Sequence, residues 1–337
     1  MGVASSLIGR DPTARRRLLQ ALLLGVAGLP ARGAIASKAW PSRTVRIIVP
    51  FAPGGGADVS ARVLAELLTP ELGQSVIVEN RPGAGSAIGV TAAANSSDGH
   101  TLLMGSNSMV INPSLNPAIT YEVARDFDAI GMVSSQPLVL VVPAQSAIRS
   151  LDDLIAEARR RPGELTAGNS GNGTLAHLTA ELFSLETGTT LTHVPYKGES
   201  ALMPDLLAGR VALGFLNLPS VIAHIRGGRL HPIAVSSASP VEELPSVPTF
   251  RSLNRPSLEV RGWAALLAPK GTIPATELDR LATLLAKALA SETVKTRFAA
   301  LSVRPEIMDR SATDRHLADE GARWKKVIET RGIKAGS

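Results

Sequence analysis

The stretch Val45-Arg46-Ile47-Ile48-Val49-Pro50-Phe51-Ala52-Pro53-Gly54-Gly55-Gly56-Ala57-Asp58 passes from a β-branched run through a proline stop into a glycine turn. Val59, Val63, Leu64, Leu67 and Leu68 follow at helical spacing, so the whole reads as one β-loop-α unit. Working outward, Ser75 to Glu79 and Thr101 to Gly105 are further strands, with Asn80-Arg81-Pro82-Gly83 and Asp98-Gly99 as turns. The alternation predicts an α/β protein with a parallel, two-faced sheet.

A second series repeats the architecture. It starts at Leu138 to Val142, passes a helix that Ser150 and Asp153 close as a capping box, and continues through Leu165 to Gly168. A helix over Thr174 to Thr187 ends at Gly188, and strands follow at Thr190 to Val194, Val211 to Phe215 and Ile233 to Ser236. Val241 to Pro256 is proline-rich and polar, a connection. The chain turns apolar again at Trp263 to Ala268. Leu278 to Leu289, Val294 to Leu301 and Leu317 to Ile328 then mark three helices expected to pack on the first lobe. Two lobes result, residues 37–136 plus 257–337 and residues 137–256, with a hinge near 137 and 257 and a cleft between them.

The first 36 residues form an export signal: Arg15, Arg16 and Arg17, an apolar run Leu18 to Leu29, then Ala34-Ile35-Ala36 before a cut. The run is shorter than the roughly 20 residues a membrane span needs. Paired arginines leave both the general secretory and the twin-arginine routes open. Of the net charge of +6, only +2 remains once Arg10, Arg15, Arg16, Arg17, Arg32 and Asp11 are removed. With no basic block interleaved with aromatics downstream, no nucleic-acid partner is expected. Cysteine is absent, which excludes disulfides, thiolate chemistry and thiolate metal sites.

Glycine-rich turns carry the chemistry. Pro53-Gly54-Gly55-Gly56-Ala57-Asp58 and Gly168-Asn169-Ser170-Gly171-Asn172-Gly173-Thr174 each lie between a strand and a helix, where backbone N–H groups and the positive helix end can face an anion. Ordinary tight turns are the alternative for either loop alone. Neither is a Walker loop, and Gly83-Ala84-Gly85-Ser86-Ala87-Ile88-Gly89 misses the dinucleotide spacing by one residue. Ser106 and Asn107 end a strand and Asn217 follows one, placing them at carboxyl strand ends, where open α/β sheets bind ligands. Turn formation or edge capping is their other reading.

These motifs together resemble the Bug-type receptors of tripartite tricarboxylate transporters. The opening stretch, Val78-Glu79-Asn80-Arg81-Pro82-Gly83-Ala84-Gly85, Asp98-Gly99-His100-Thr101-Leu102-Leu103, His193-Val194-Pro195-Tyr196-Lys197-Gly198 and Leu244-Pro245-Ser246-Val247-Pro248-Thr249 stand in that family's order, with Trp263 before Ala268-Pro269. The resemblance covers about Trp40 to Ile333. It implies a type II periplasmic-binding-protein (Venus flytrap) fold and a monomeric, non-catalytic receptor without cofactor or metal. Such a receptor captures a small organic carboxylate in the periplasm and delivers it to the membrane subunits of a tripartite tricarboxylate transporter. An exported sensor serving a signalling partner would share the fold. By the same resemblance the first-lobe loop contributes Ala52, Gly54, Gly55, Gly56 and Asp58, and the second-lobe loop Asn169, Ser170, Gly171, Gly173 and Thr174. His177, one turn into the next helix, reads either as a cleft hydrogen bond or as a residue supporting the loop from behind. Asp58 reads either as a ligand contact or as a helix cap.

Enzymatic alternatives lack their motifs. His177 and Glu181 at i, i+4 are half a metal site, but no other histidine stands at ligand spacing in the sequence, so the pair reads as a helix-surface pair. Ser170 lacks the flanking Gly-x-Ser-x-Gly elbow.

Overall fold

The computed structural model describes residues 40–333; the export signal expected at 1–36 lies outside them. The chain builds two sheets that share one strand. The first holds β1 (Val45–Val49), β2 (Val76–Asn80), β3 (Thr101–Ser106), the first part of β4 (Phe127–Pro143) and β9 (Arg261–Pro269), in the order β2-β1-β3-β9-β4, with β10 (Arg304–Pro305) against β4. In the second, β4 pairs β8 (Leu230–Val235) and β7 (Leu213–Asn217), followed by β5 (Thr166–Asn169) and β6 (Thr192–Pro195).

The sheets are mixed, which corrects the expectation of parallel strands. β1, β2 and β3 run parallel, but β9 enters between β3 and β4 antiparallel to both. No α-helix crosses over into β9, which arrives from the other sheet through a run of turns and one short 3-10 turn (Pro256–Leu258), so nothing imposes the parallel direction. A second difference is at the start of the second series: Leu138 to Val142 is the far half of a continuous 17-residue strand. β4 pairs β9 as far as Pro137 and pairs β7 and β8 from Leu138 onward. Pro137 cannot donate to a ladder, which suits a strand changing partners at that residue. On β9, Arg261 and Gly262 lie opposite Pro137 and Gln136.

Alternation along β1 sorts the core. Val45, Ile47 and Val49 pack with α1 (Gly56–Leu72), α8 (Ala275–Ala290) and α9 (Glu292–Ala300), whose Leu64, Leu68, Leu281, Leu285 and Phe298 are buried. Ile48 faces the opposite layer, with α2 (Ala87–Ala94), α3 (Asn107–Leu115) and α10 (Arg310–Arg331). The second sheet carries α4 (Leu151–Arg160), α5 (Leu175–Thr187), α6 (Glu199–Leu207) and α7 (Leu218–Arg226). The Ser150 and Asp153 capping box forms, and Gly188 ends α5 in the left-handed region. No described helix is long and apolar enough to cross a membrane.

Candidate functional site

A cavity of about 80 Å³ lies between the two sheets, beside the shared strand. Five helices begin on its wall. Their N-cap residues, Gly55 of α1, Ser106 of α3, Thr174 of α5, Gly198 of α6 and Asn217 of α7, all line it. Each start leaves backbone N–H groups without helical partners and carries a partial positive charge. Gly55, Ser106 and Gly198 make no side-chain cap, and the first residues of the helices themselves, Gly56, Ala57, Leu175 and Ala176, reach the cavity. Neither lysine nor arginine lines it among the described residues. Phe51, Leu175 and Trp263 provide apolar wall.

The protein's own Glu199 displays the chemistry of such a helix start. Its carboxylate lies on α7, taking Asn217 N–H at 3.0 Å, Asn217 Nδ2 at 2.9 Å and the Ser220 hydroxyl. Burial pushes this carboxyl above its ordinary range, against the lowering effect of those donors. One helix start is therefore already occupied, Thr174 caps a second, and those of α1, α3 and α6 remain open.

Of the residues expected from the sequence, Ala52, Gly55, Gly56, Ser106, Asn107, Ser170, Thr174 and Asn217 line the cavity. Gly54, Asp58, Asn169, Gly171, Gly173 and His177 do not, because their polar groups brace the loops. Asp58 Oδ2 accepts from Gly54 N–H (3.0 Å) and Arg62 Nε (3.0 Å), and Oδ1 accepts from Asn80 Nδ2 (2.9 Å). Burial would raise the Asp58 carboxyl, but the bonds from Arg62, Gly54 and Asn80 outweigh it and hold the group below its ordinary value. In the second lobe Gly171 N–H donates to Asn169 Oδ1 (2.9 Å), and Gly173 N–H donates to His177 Nδ1 (3.4 Å). The Thr174 hydroxyl donates to Gly171 O and accepts from His177 N–H. The loop thus closes on itself and presents the α5 start, not its glycine amides.

Three side chains on the wall are also committed elsewhere. Asn107 bonds Arg261 O, Glu320 and Trp263 N–H, tying α3 to β9 and α10. Asn217 links Glu199 to Gln136, and Thr174 caps α5. The Ser106 hydroxyl is buried and makes no bond to a described residue.

His177 is buried, which corrects its reading as part of a helix-surface pair with Glu181. β6 brings His193 against it: His193 Nε2 lies 3.1 Å from Glu181 Oε1, and the two rings meet edge to face at 4.9 Å. Sequence spacing could not show this, because helix and strand approach only in the folded chain. Since His177 Nδ1 accepts from Gly173 N–H, its Nε2 carries the proton and turns toward Glu181, 3.7 Å away. Glu181 thus stands beside both histidines beneath the second loop, which His177 holds through the Gly173 amide.

Gln136, Glu199, Ser200, Leu175, Ala176 and Trp263 line the cavity without having been expected. A third strand-to-helix turn, Pro195 to Glu199, was the available signal for two of them: a ligand at carboxyl strand ends meets every helix start there. Above the cavity the lobes touch. A Cβ added to Gly85 would lie 1.9 Å from Asn172 O, and one on Gly173 would lie 1.9 Å from Asn112 Oδ1.

Residues 60–333 match the model of the tripartite tricarboxylate transporter family receptor. Protein BugT of Bordetella pertussis is 40% identical over 321 residues, 94% of this chain and 98% of that one. The solved periplasmic binding protein BugD superposes with a TM-score of 0.82 at 30% identity, covering 88% of this chain and 99% of its own. Rpa4515 of R. palustris, solved with adipate, gives 0.83 at 34% over the same shares. The two-lobed α/β architecture is that of the periplasmic binding proteins, and this chain belongs to the receptor family of the tripartite tricarboxylate transporters.

Proposed function

We propose that the protein binds a small organic carboxylate between its lobes, without catalysis, and hands it to the membrane subunits of a tripartite tricarboxylate transporter. The observation that carries this reading is the meeting of three uncapped helix starts, beside the start of α5, on one cavity that has no cationic side chain in its wall. Preorganised amides replace the water of an anion at little ordering cost. The Glu199 carboxyl accepts one backbone amide, one side-chain amide and one hydroxyl at the α7 start in the same wall, although burial still holds it above its ordinary range. A water-sized site needs roughly 10–15 Å³ on this measure, so about 80 Å³ takes on the order of six small groups, the scale of a short-chain acid.

In this reading the lobes comprise residues 37–136 with 257–337 and residues 137–256. They move about the two chain crossings near 137 and 257, and the exported monomer works in the periplasm. Ligand bound to one lobe favours closure because the second lobe adds donors only when closed. Adipate in Rpa4515 supports the ligand class, and the family description supports the transporter as recipient.

The test is a thermal-shift panel on protein freed of copurified ligand by unfolding and refolding. It should include carboxylates and their neutral amide and alcohol analogues. Ligand at 100 times its Kd adds about 2.7 kcal/mol, a shift of several degrees. Shifts confined to neutral compounds, or none at all in folded protein, would overturn the carboxylate reading.

A further inference from the structure

Glu199 is the one ionisable side chain on the cavity wall among the described residues. A ligand carboxylate in so small a space stands within roughly 8 Å of it, with little water between to screen the pair. No cation offsets the two charges. Asn217 and Ser220 of α7, which bond Glu199, are neutral, as is Gln136 of β4 behind Asn217, and the walls from α1, α3, α5 and β9 present no titratable group. Lys197, in the same turn as Glu199, is exposed and lines a separate cavity where the lobes meet. Helix starts lend partial charge but add no net positive charge to the wall. Two carboxylates that share such a site cannot both stay ionised without cost, and a proton on one of them removes the conflict.

The hydrogen bonds at Glu199 suit a carboxylic acid as well as a carboxylate. Oε1 accepts from Asn217 N–H at 3.0 Å and from Asn217 Nδ2 at 2.9 Å in either state. Oε2 meets the Ser220 hydroxyl, which donates to a carboxylate and accepts from an acid, so a proton on Oε2 reverses that bond without breaking it. Glu199 is 8% exposed, and burial pushes its carboxyl above the ordinary range before any ligand arrives. We propose that the cavity takes its carboxylate together with one proton from solvent, held on Glu199 Oε2 against Ser220 Oγ. This rests on the carboxylate reading above and adds a second, coupled ligand to it. The coupling is reciprocal: the carboxylate draws the proton on, and the proton tightens the carboxylate. Affinity is therefore full while Glu199 of the free protein is protonated, and it falls by up to about tenfold per pH unit as pH rises beyond that point.

The experiment is calorimetric titration of the full protein with propionate, succinate, malate and adipate between about pH 6.5 and 9.5, where the probes stay largely ionised and a buried carboxyl titrates. For a probe that binds, Kd should rise toward the alkaline end by up to about tenfold per pH unit. On that limb, titrations in phosphate and in Tris, which differ in ionisation heat, should show uptake of about one proton per ligand. Glu199→Gln, whose amide can accept from Asn217 and donate to Ser220, should bind with a Kd constant within about threefold over the whole range. A wild-type Kd that does not change with pH, or the absence of proton uptake, overturns the inference and leaves the carboxylate reading standing. A dependence that survives in Glu199→Gln overturns the assignment to Glu199. No binding by any carboxylate overturns both. If Glu199→Gln does not fold, the protons taken up by the wild type still decide.

Discussion

Closure of the lobes should fail in Gly85→Ala. Gly85 has φ 58°, and an added Cβ would lie 1.9 Å from the Asn172 carbonyl oxygen across the cleft. Carbon–oxygen contacts begin at about 3.3 Å, so the lobes must part by roughly 1.4 Å along that line. A gap of about 1 Å already forfeits up to about half of a dispersion contact. Reducing the closed fraction to about a tenth weakens apparent affinity about tenfold, or about 1.4 kcal/mol. The left-handed conformation separately costs alanine about 1–2 kcal/mol of stability. Gly188→Ala isolates that second effect: Gly188 has φ 62° at the end of α5, with nothing within 4 Å of an added Cβ. Titration calorimetry with the best carboxylate, beside urea unfolding, should show both variants destabilised similarly and only Gly85→Ala losing affinity. Equal affinity in the two variants would refute the closed-cleft reasoning.

Gly55→Pro removes one amide at the α1 start at φ −82°, near the range proline adopts, and should weaken ligand binding at least tenfold by calorimetry with melting little changed. Asp58→Ala strips a buried acceptor from Gly54, Arg62 and Asn80 and should destabilise by about 2–3 kcal/mol in urea titrations. Because the Asp58 carboxyl is held below its ordinary 3.8, its contribution is present at neutral pH and disappears as pH falls through the folded-state value; the cost of the substitution should shrink accordingly. Glu199 has the opposite sign. Its pKa is raised above 4.5, so the wild type loses stability relative to Glu199→Gln as pH rises beyond that value, and a pH-independent difference would count against the buried ionisable carboxyl. With no lysine or arginine in the cavity wall, ligand affinity should change less than about threefold between 0.05 and 0.5 M salt, whereas a cation-driven site at the surface would be screened.

Local pattern was enough for most of the architecture. Val45 to Val49 alternates between two cores, the Ser150 and Asp153 box caps its helix, and Gly188 ends α5, because each depends on residues within a few positions of one another. The glycine loops likewise marked two of the helix starts that line the cavity, and strand ends marked Ser106, Asn107 and Asn217. The motif order also pointed to the receptor family to which the chain belongs.

What the tertiary structure decided is which donors face the cleft. Gly54, Gly171 and Gly173 carry the expected amides, but Asp58, Asn169 and His177 take them first; the Asn169 bond is the i, i+2 turn that spacing offers, whereas the backward bonds of Asp58 and His177 depend on the geometry of their loops. Direction of β9 was likewise invisible, since strand pairing is settled between segments more than a hundred residues apart. Gln136 and Glu199 fall in unremarkable stretches, and only the meeting of β4, α6 and α7 joins them through Asn217 on the cavity wall. Backbone periodicity is a short-range property written along the chain, whereas the identity of a free donor or acceptor is what remains after every neighbour in space has made its bond.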